Sequence, residues 1–79
     1  MASNSSIATL ESLARNTKFK IKDIIAGHGL KQRLLQMGFV PGTEGFVVNN
    51  TGGHVVVYIR NSQVGISKGI AKKIYVEIV

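Results

Sequence analysis

His28 and His54 are the side chains best suited to metal or acid–base chemistry, and each stands beside glycine with no second ligand at a recognisable metal spacing. Neither builds a site by itself; weak transition-metal binding through one or the other is the most the pattern allows. The acids Glu11, Asp23, Glu44 and Glu77 are scattered singly, so no general acid/base pair is visible. Ser62 and Ser67 lack the context of an activated nucleophile. Gly27-His28-Gly29 and Gly52-Gly53 are not followed by the lysine and hydroxyl of a phosphate-binding loop and read as turns. There are no cysteines, which excludes disulfides, thiolate metal sites and cysteine catalysis. The expectation is a protein without catalytic, cofactor or dedicated metal residues.

The remaining chemistry is positive charge. Ten basic residues against four acids give a formal charge of +6, which favours anionic partners without choosing among them. The cations cluster as Lys18, Lys20 and Lys22; Lys31 and Arg33; and Lys68, Lys72 and Lys73. Phe19, Phe39 and Phe46 read as core, leaving only Tyr58 and Tyr75 as candidate surface aromatics. A single-strand platform needs stacking rings as well as charge. The sequence therefore favours a solvated or protein-docking face over nucleic acid.

These groups must be positioned by a small scaffold. A chain of 79 residues is one domain that buries roughly 60 to 65% of its unfolded surface, so each apolar residue counts. Residues 1–6 read as a flexible tail and 7–79 as the folded domain. Ile7, Leu10, Leu13 and Ala14 recur at helical spacing, with Ser5 or Ser6 as N-cap and Asn16 as a left-handed stop. Lys18-Phe19-Lys20-Ile21-Lys22 alternates as a half-buried strand, extended by Ile24-Ile25. After the loop Ala26 to Gly29, Leu30, Leu34 and Met37 form one apolar helical stripe, with Leu35 off it. Gly38 supplies a left-handed helix end, Phe39 folds back on Leu34, and Val40-Pro41-Gly42-Thr43 is a type II turn. Gly45 to Asn49 and His54 to Arg60 are strands around a turn at Asn50 to Gly53; Asn61-Ser62 leads into a strand over Gln63 to Ser67. One helical turn at Lys68 to Lys72 precedes a closing strand through Ile74, Val76 and Ile78. Five short strands with tight turns suit a mainly β, strongly bent barrel with short helices that hides its edges.

The run Leu30-x-x-Arg33-Leu34-x-x-Met37-Gly38-Phe39-x-Pro41-Gly42-Thr43 resembles the central motif of the ferrous iron transport protein A (FeoA) family. Val56-x-Tyr58-Ile59-Arg60, then Gln63-Val64-Gly65-Ile66-Ser67-Lys68-x-x-Ala71 and Ile74-x-Val76 agree in order, and the likeness spans about residues 8–78. Asn16 stands where the family often has glycine; Ser67 and Gly69 stand where arginine and an acid are common. The resemblance implies an SH3-like small barrel in its free-standing form, a barrel also found at the C-terminus of diphtheria-toxin-repressor-type metalloregulators.

It further implies a non-enzymatic accessory of ferrous iron uptake, docking on the cytoplasmic GTPase-containing part of the FeoB membrane transporter. The partner surface expected on this chain is the outer side of the helix and the turn after it: Lys31, Arg33, Leu35, Pro41 and Gly42. Leu35 motivates the choice, as a large apolar residue away from the core stripe. No apolar run reaches the roughly 18 to 20 residues of a membrane span, and residues 1–6 lack a secretory pattern, so a cytoplasmic location is expected. The alternative is a basic barrel that binds RNA.

Overall fold

A computed structural model describes residues 7–79; the tail expected over residues 1–6, with the Ser5 or Ser6 cap, lies outside the described residues. The strands are β1 (Ile7–Thr9), β2 (Lys18–Ile24), β3 (Glu44–Thr51), β4 (His54–Ile59), β5 (Ser62–Ser67) and β6 (Ile74–Ile78). A 3-10 turn spans Leu10–Ser12, and two helices, α1 (His28–Gln36) and α2 (Lys68–Ala71), complete the chain. All neighbours in the sheet, ordered β1-β6-β2-β3-β4-β5, pair antiparallel. The mainly β barrel with short helices is as expected, with one strand more than the five anticipated.

The additional strand replaces the leading helix. Ile7, Ala8 and Thr9 pair with Glu77, Val76 and Tyr75 of β6, and only Leu10–Ser12 coils, as a single 3-10 turn. The helical spacing was real, but three residues of ladder to β6 outweigh a helix too short to be stable alone. Leu10 and Leu13 are buried by this route instead. Asn16 does take the left-handed conformation, at φ 72°, and its N–H donates to the Val47 carbonyl at 2.7 Å.

β2 alternates as its sequence requires. Phe19 and Ile21 are buried while Lys18 and Lys22 are exposed and Lys20 is half-buried. A bulge between Ile21 and Asp23 puts Ile24 back into the core, and a second bulge lies between Val47 and Asn49 of β3. Such extra residues bend and twist a strand, and here they curl the sheet over its apolar face. β2 ends at Ile24, leaving Ile25 exposed. α2 packs against β4, β5 and the 3-10 turn, and so links the end strand β5 to the segment that follows β1.

The core runs from Leu10 and Leu13 through Phe19, Phe39 and the inward valines of β3 and β4 to Ile74 and Val76. The Asn50 amide joins the leading segment to it. Its Nδ2 donates to the carbonyls of Glu11 at 3.0 Å and Leu13 at 2.7 Å. The sequence placed Asn50 in a turn from Asn50 to Gly53; β3 instead runs on to Thr51, pairing Asn50 with Val55, and the turn is Gly52-Gly53 alone.

Candidate functional site

Helix α1 starts at His28, two residues earlier than expected, from Gly27 in extended conformation and without a side-chain cap. Its other end is a full Schellman motif. The N–H of Phe39 donates to the Leu34 carbonyl at 3.0 Å and that of Gly38 to the Leu35 carbonyl at 3.1 Å, with Gly38 at φ 110° and both Leu34 and Phe39 buried. The Val40 carbonyl then accepts from Thr43 N–H at 3.0 Å, with Gly42 at φ 93° between them, closing the expected Pro-Gly turn. Gly42 N–H to Ile21 O and Ile21 N–H to Thr43 O, both 2.8 Å, fasten that turn to β2.

This framework places the expected docking residues on one stretch, with one exchange of exposure. Arg33, Pro41 and Gly42 are exposed and Lys31 is half-buried. Leu35, expected to project outward, is half-buried and packs on the core. Met37, expected in the core stripe, is 39% exposed. The reason is helix orientation: Leu34 is the one helix residue fully enclosed, and Leu30 and Leu35 flank it against the sheet. Met37 lies past the last helical residue as the C-cap and is turned outward.

The second correction concerns Phe46. It is not core: it stands on the outer face of β3, 38% exposed, directly opposite Tyr58 of β4, which is equally exposed. The rings stack with centroids 5.5 Å apart and planes inclined by 29°. Lys18 pairs with Phe46 from β2, and Gln63 pairs with Tyr58 from β5. Inward of this row Gly45 makes the close approach possible, since a Cβ there would lie 2.5 Å from the Tyr58 carbonyl oxygen. Lys18, Glu44, Phe46, Tyr58, Arg60 and Asn61 border an open groove of about 320 Å³.

The end of that groove is the β4–β5 turn. It consists of Arg60 and Asn61, one residue earlier than expected, with φ 53° and 64°. Two consecutive left-handed residues make the type I′ pattern that suits hairpin twist, though glycine or asparagine normally fills it. The stem of Arg60 lies over Gly38, where an added Cβ would come 3.1 Å from its Cδ. The turn thus touches the helix end directly.

Elsewhere the sequence candidates remain apart. His28 opens α1 and His54 opens β4, both exposed. Among the described residues no three His, Cys, Asp or Glu side chains are grouped to hold a metal ion. One ion pair occurs among them, Lys22 to Glu77 at 3.9 Å, a solvent-exposed contact of little energetic weight. Ser67 caps α2, its Oγ accepting from Ile70 N–H at 3.3 Å. Among the described residues no helix is long and apolar enough to cross a membrane.

Comparison with known proteins agrees with this architecture. The chain is 40% identical over 57 residues to a Methanocaldococcus jannaschii protein named Fe(2+) transport protein A, covering 72% of this chain and 70% of that one. The crystal structure of an iron uptake regulatory protein, FeoA, superposes with a TM-score of 0.88 at 23% identity, covering 94% of this chain and all of that one (100%). The T. acidophilum protein IdeR contains the same fold within a longer chain, with a TM-score of 0.83 at 19% identity over 100% of this chain and 37% of that one. These neighbours make the barrel SH3-like. The FeoA domain model matches residues 8–78, from β1 to the last residue of β6, and the chain therefore belongs to the FeoA family.

Proposed function

We propose that this protein is an accessory of ferrous iron uptake that docks on the cytoplasmic, GTPase-containing part of a FeoB-type transporter and adjusts its activity without catalysis of its own. Family membership over the whole described fold supports the iron transport part of this reading. The observation that carries docking is the exposed apolar Met37, placed between Arg33 and the Pro41-Gly42 turn on a helix end held rigid by its Schellman bonds. A flexible thioether beside a cation is well suited to anchor a protein interface. The docking surface is then Lys31, Arg33, Pro41 and Gly42, with Met37 as its apolar centre in place of Leu35. Such a protein works in the cytoplasm.

Titrating labelled protein with the transporter's cytosolic domain, in parallel GDP and GTP-analogue states, tests this by amide NMR. Shifts centred on Arg33, Met37 and Gly42 are expected; none around that helix end would reject the surface. Met37→Ala should weaken the complex while changing stability by less than about 0.5 kcal/mol. Leu35→Ala should instead lower stability by about 1 to 2 kcal/mol, because it empties part of the core boundary.

A further inference from the structure

We infer that the groove across the outer face of β2, β3 and β4 is a binding site for single-stranded nucleic acid; none of the docking residues lines it, though Arg60 at its end touches Gly38, and the inference is independent of that reading. Outward residues form two transverse rows here. The first is Lys18, Phe46, Tyr58 and Gln63, each paired with the next across neighbouring strands. The second holds Lys20 opposite Glu44, with Arg60 in the turn that ends β4.

Three features select the ligand. The ring stack is preformed and solvent-facing, so a base can extend it without ordering new side chains; sequence-tolerant stacking of this kind suits any base. Two cations border the stack, Lys18 beside Phe46 in the same row and Arg60 two residues beyond Tyr58 at the groove end, within reach of phosphates that flank a stacked base. Neither enters an ion pair, since Lys22 and Glu77 form the one pair among the described residues. An acidic peptide would satisfy the cations but leave the ring faces unused, and a base uses both. Arg60 also holds a left-handed backbone that glycine would adopt more easily, so the turn keeps a guanidinium at this point against its own backbone preference.

Glu44 is the opposing charge in the groove, and it makes the inference sharp. Fluorescence anisotropy of the full chain with a labelled oligouridylate of about ten nucleotides is the primary measurement. Affinity should fall with salt at a logarithmic slope of about −1.4 to −2.1, for two or three phosphates. Tyr58→Leu and Phe46→Leu should each weaken binding by about 5- to 150-fold, the loss of one stacking contact. Glu44→Gln should strengthen it by about two- to fivefold by removing a repulsive charge. Lys72→Gln with Lys73→Gln, outside the groove, should change it by less than about threefold. Wild-type NMR supplies a readout that no variant can confound: the ring and amide resonances of Phe46, Tyr58 and Arg60 should shift with the oligonucleotide. Unmoved resonances there, aromatic variants that bind as wild type, or equal binding of oligoglutamate or uridine monophosphate would each overturn the assignment.

Discussion

The two hairpins of this barrel have the same geometry and opposite chemistry. β3 and β4 meet through Gly52-Gly53, at φ 62° and 94°, between the paired residues Thr51 and His54. β4 and β5 meet through Arg60-Asn61, at φ 53° and 64°, between Ile59 and Ser62. Both need left-handed backbone, which is free for glycine and costs about 1 to 2 kcal/mol for a residue with a Cβ. The difference lies in where each hairpin keeps the side chain that holds its neighbour. The first holds the leading segment through Asn50, within β3, so its turn can be all glycine with open space around it. The second touches the helix end through Arg60, in the turn itself. A turn carries strain where it also carries a contact.

Substitutions in the two hairpins test that difference. The largest effect is expected at Gly45 of β3, where that strand presses on β4, the strand common to both hairpins. Gly45→Ala would drive a Cβ to 2.5 Å from the Tyr58 carbonyl and should lower stability by about 3 kcal/mol, read from urea unfolding; a loss near zero would mean that β3 and β4 are not so closely apposed. Asn50→Ala should cost about 2 kcal/mol, since it strands the carbonyls of Glu11 and Leu13. Hydrogen exchange should then speed first in β1 and the 3-10 turn, and uniform acceleration would show that Asn50 is no special anchor. Gly52→Ala should cost about 1 kcal/mol, read from urea unfolding, from backbone alone, because nothing lies within 4 Å of its added Cβ. Arg60→Gly should change stability least, by under about 0.5 kcal/mol, as relief of the left-handed strain offsets the lost stem packing over Gly38. A clear gain in stability would show that the stem over Gly38 contributes little.

Much of this was legible residue by residue. The lysine–apolar alternation of β2 needs no context, because a period of two can bury only one face of a strand. Gly38 and Pro41-Gly42 marked the helix end and turn because few residues tolerate those backbone angles. Other readings failed for an equally definite reason. Gly45-Phe46-Val47 does alternate, but with glycine as the inward member the pattern looks as if Phe46 must be the buried one. What turned the ring outward is the approach of β3 to β4, which leaves room for no side chain at Gly45. Ile7 to Leu13 has helical spacing, yet its partner is β6, more than sixty residues away in the chain.

From β2 onward the residues alone indicated most of the local conformations: where the chain extends or coils, and the left-handed positions at Asn16, Gly38 and Gly42. Those depend on torsional preference and on spacing within a few residues. Three surface features came from tertiary packing alone: Met37 and not Leu35 exposed at the helix end, Phe46 stacked on Tyr58 above the sheet, and Arg60 stretched over Gly38. Those outcomes come from packing between segments distant in sequence, where a strand's face and a helix's rotation follow from the partner that fits. The family could be read from Leu34, Gly38 and the Pro41-Gly42 turn; the apolar centre of the docking surface, Met37, and the stacked rings of the groove could not.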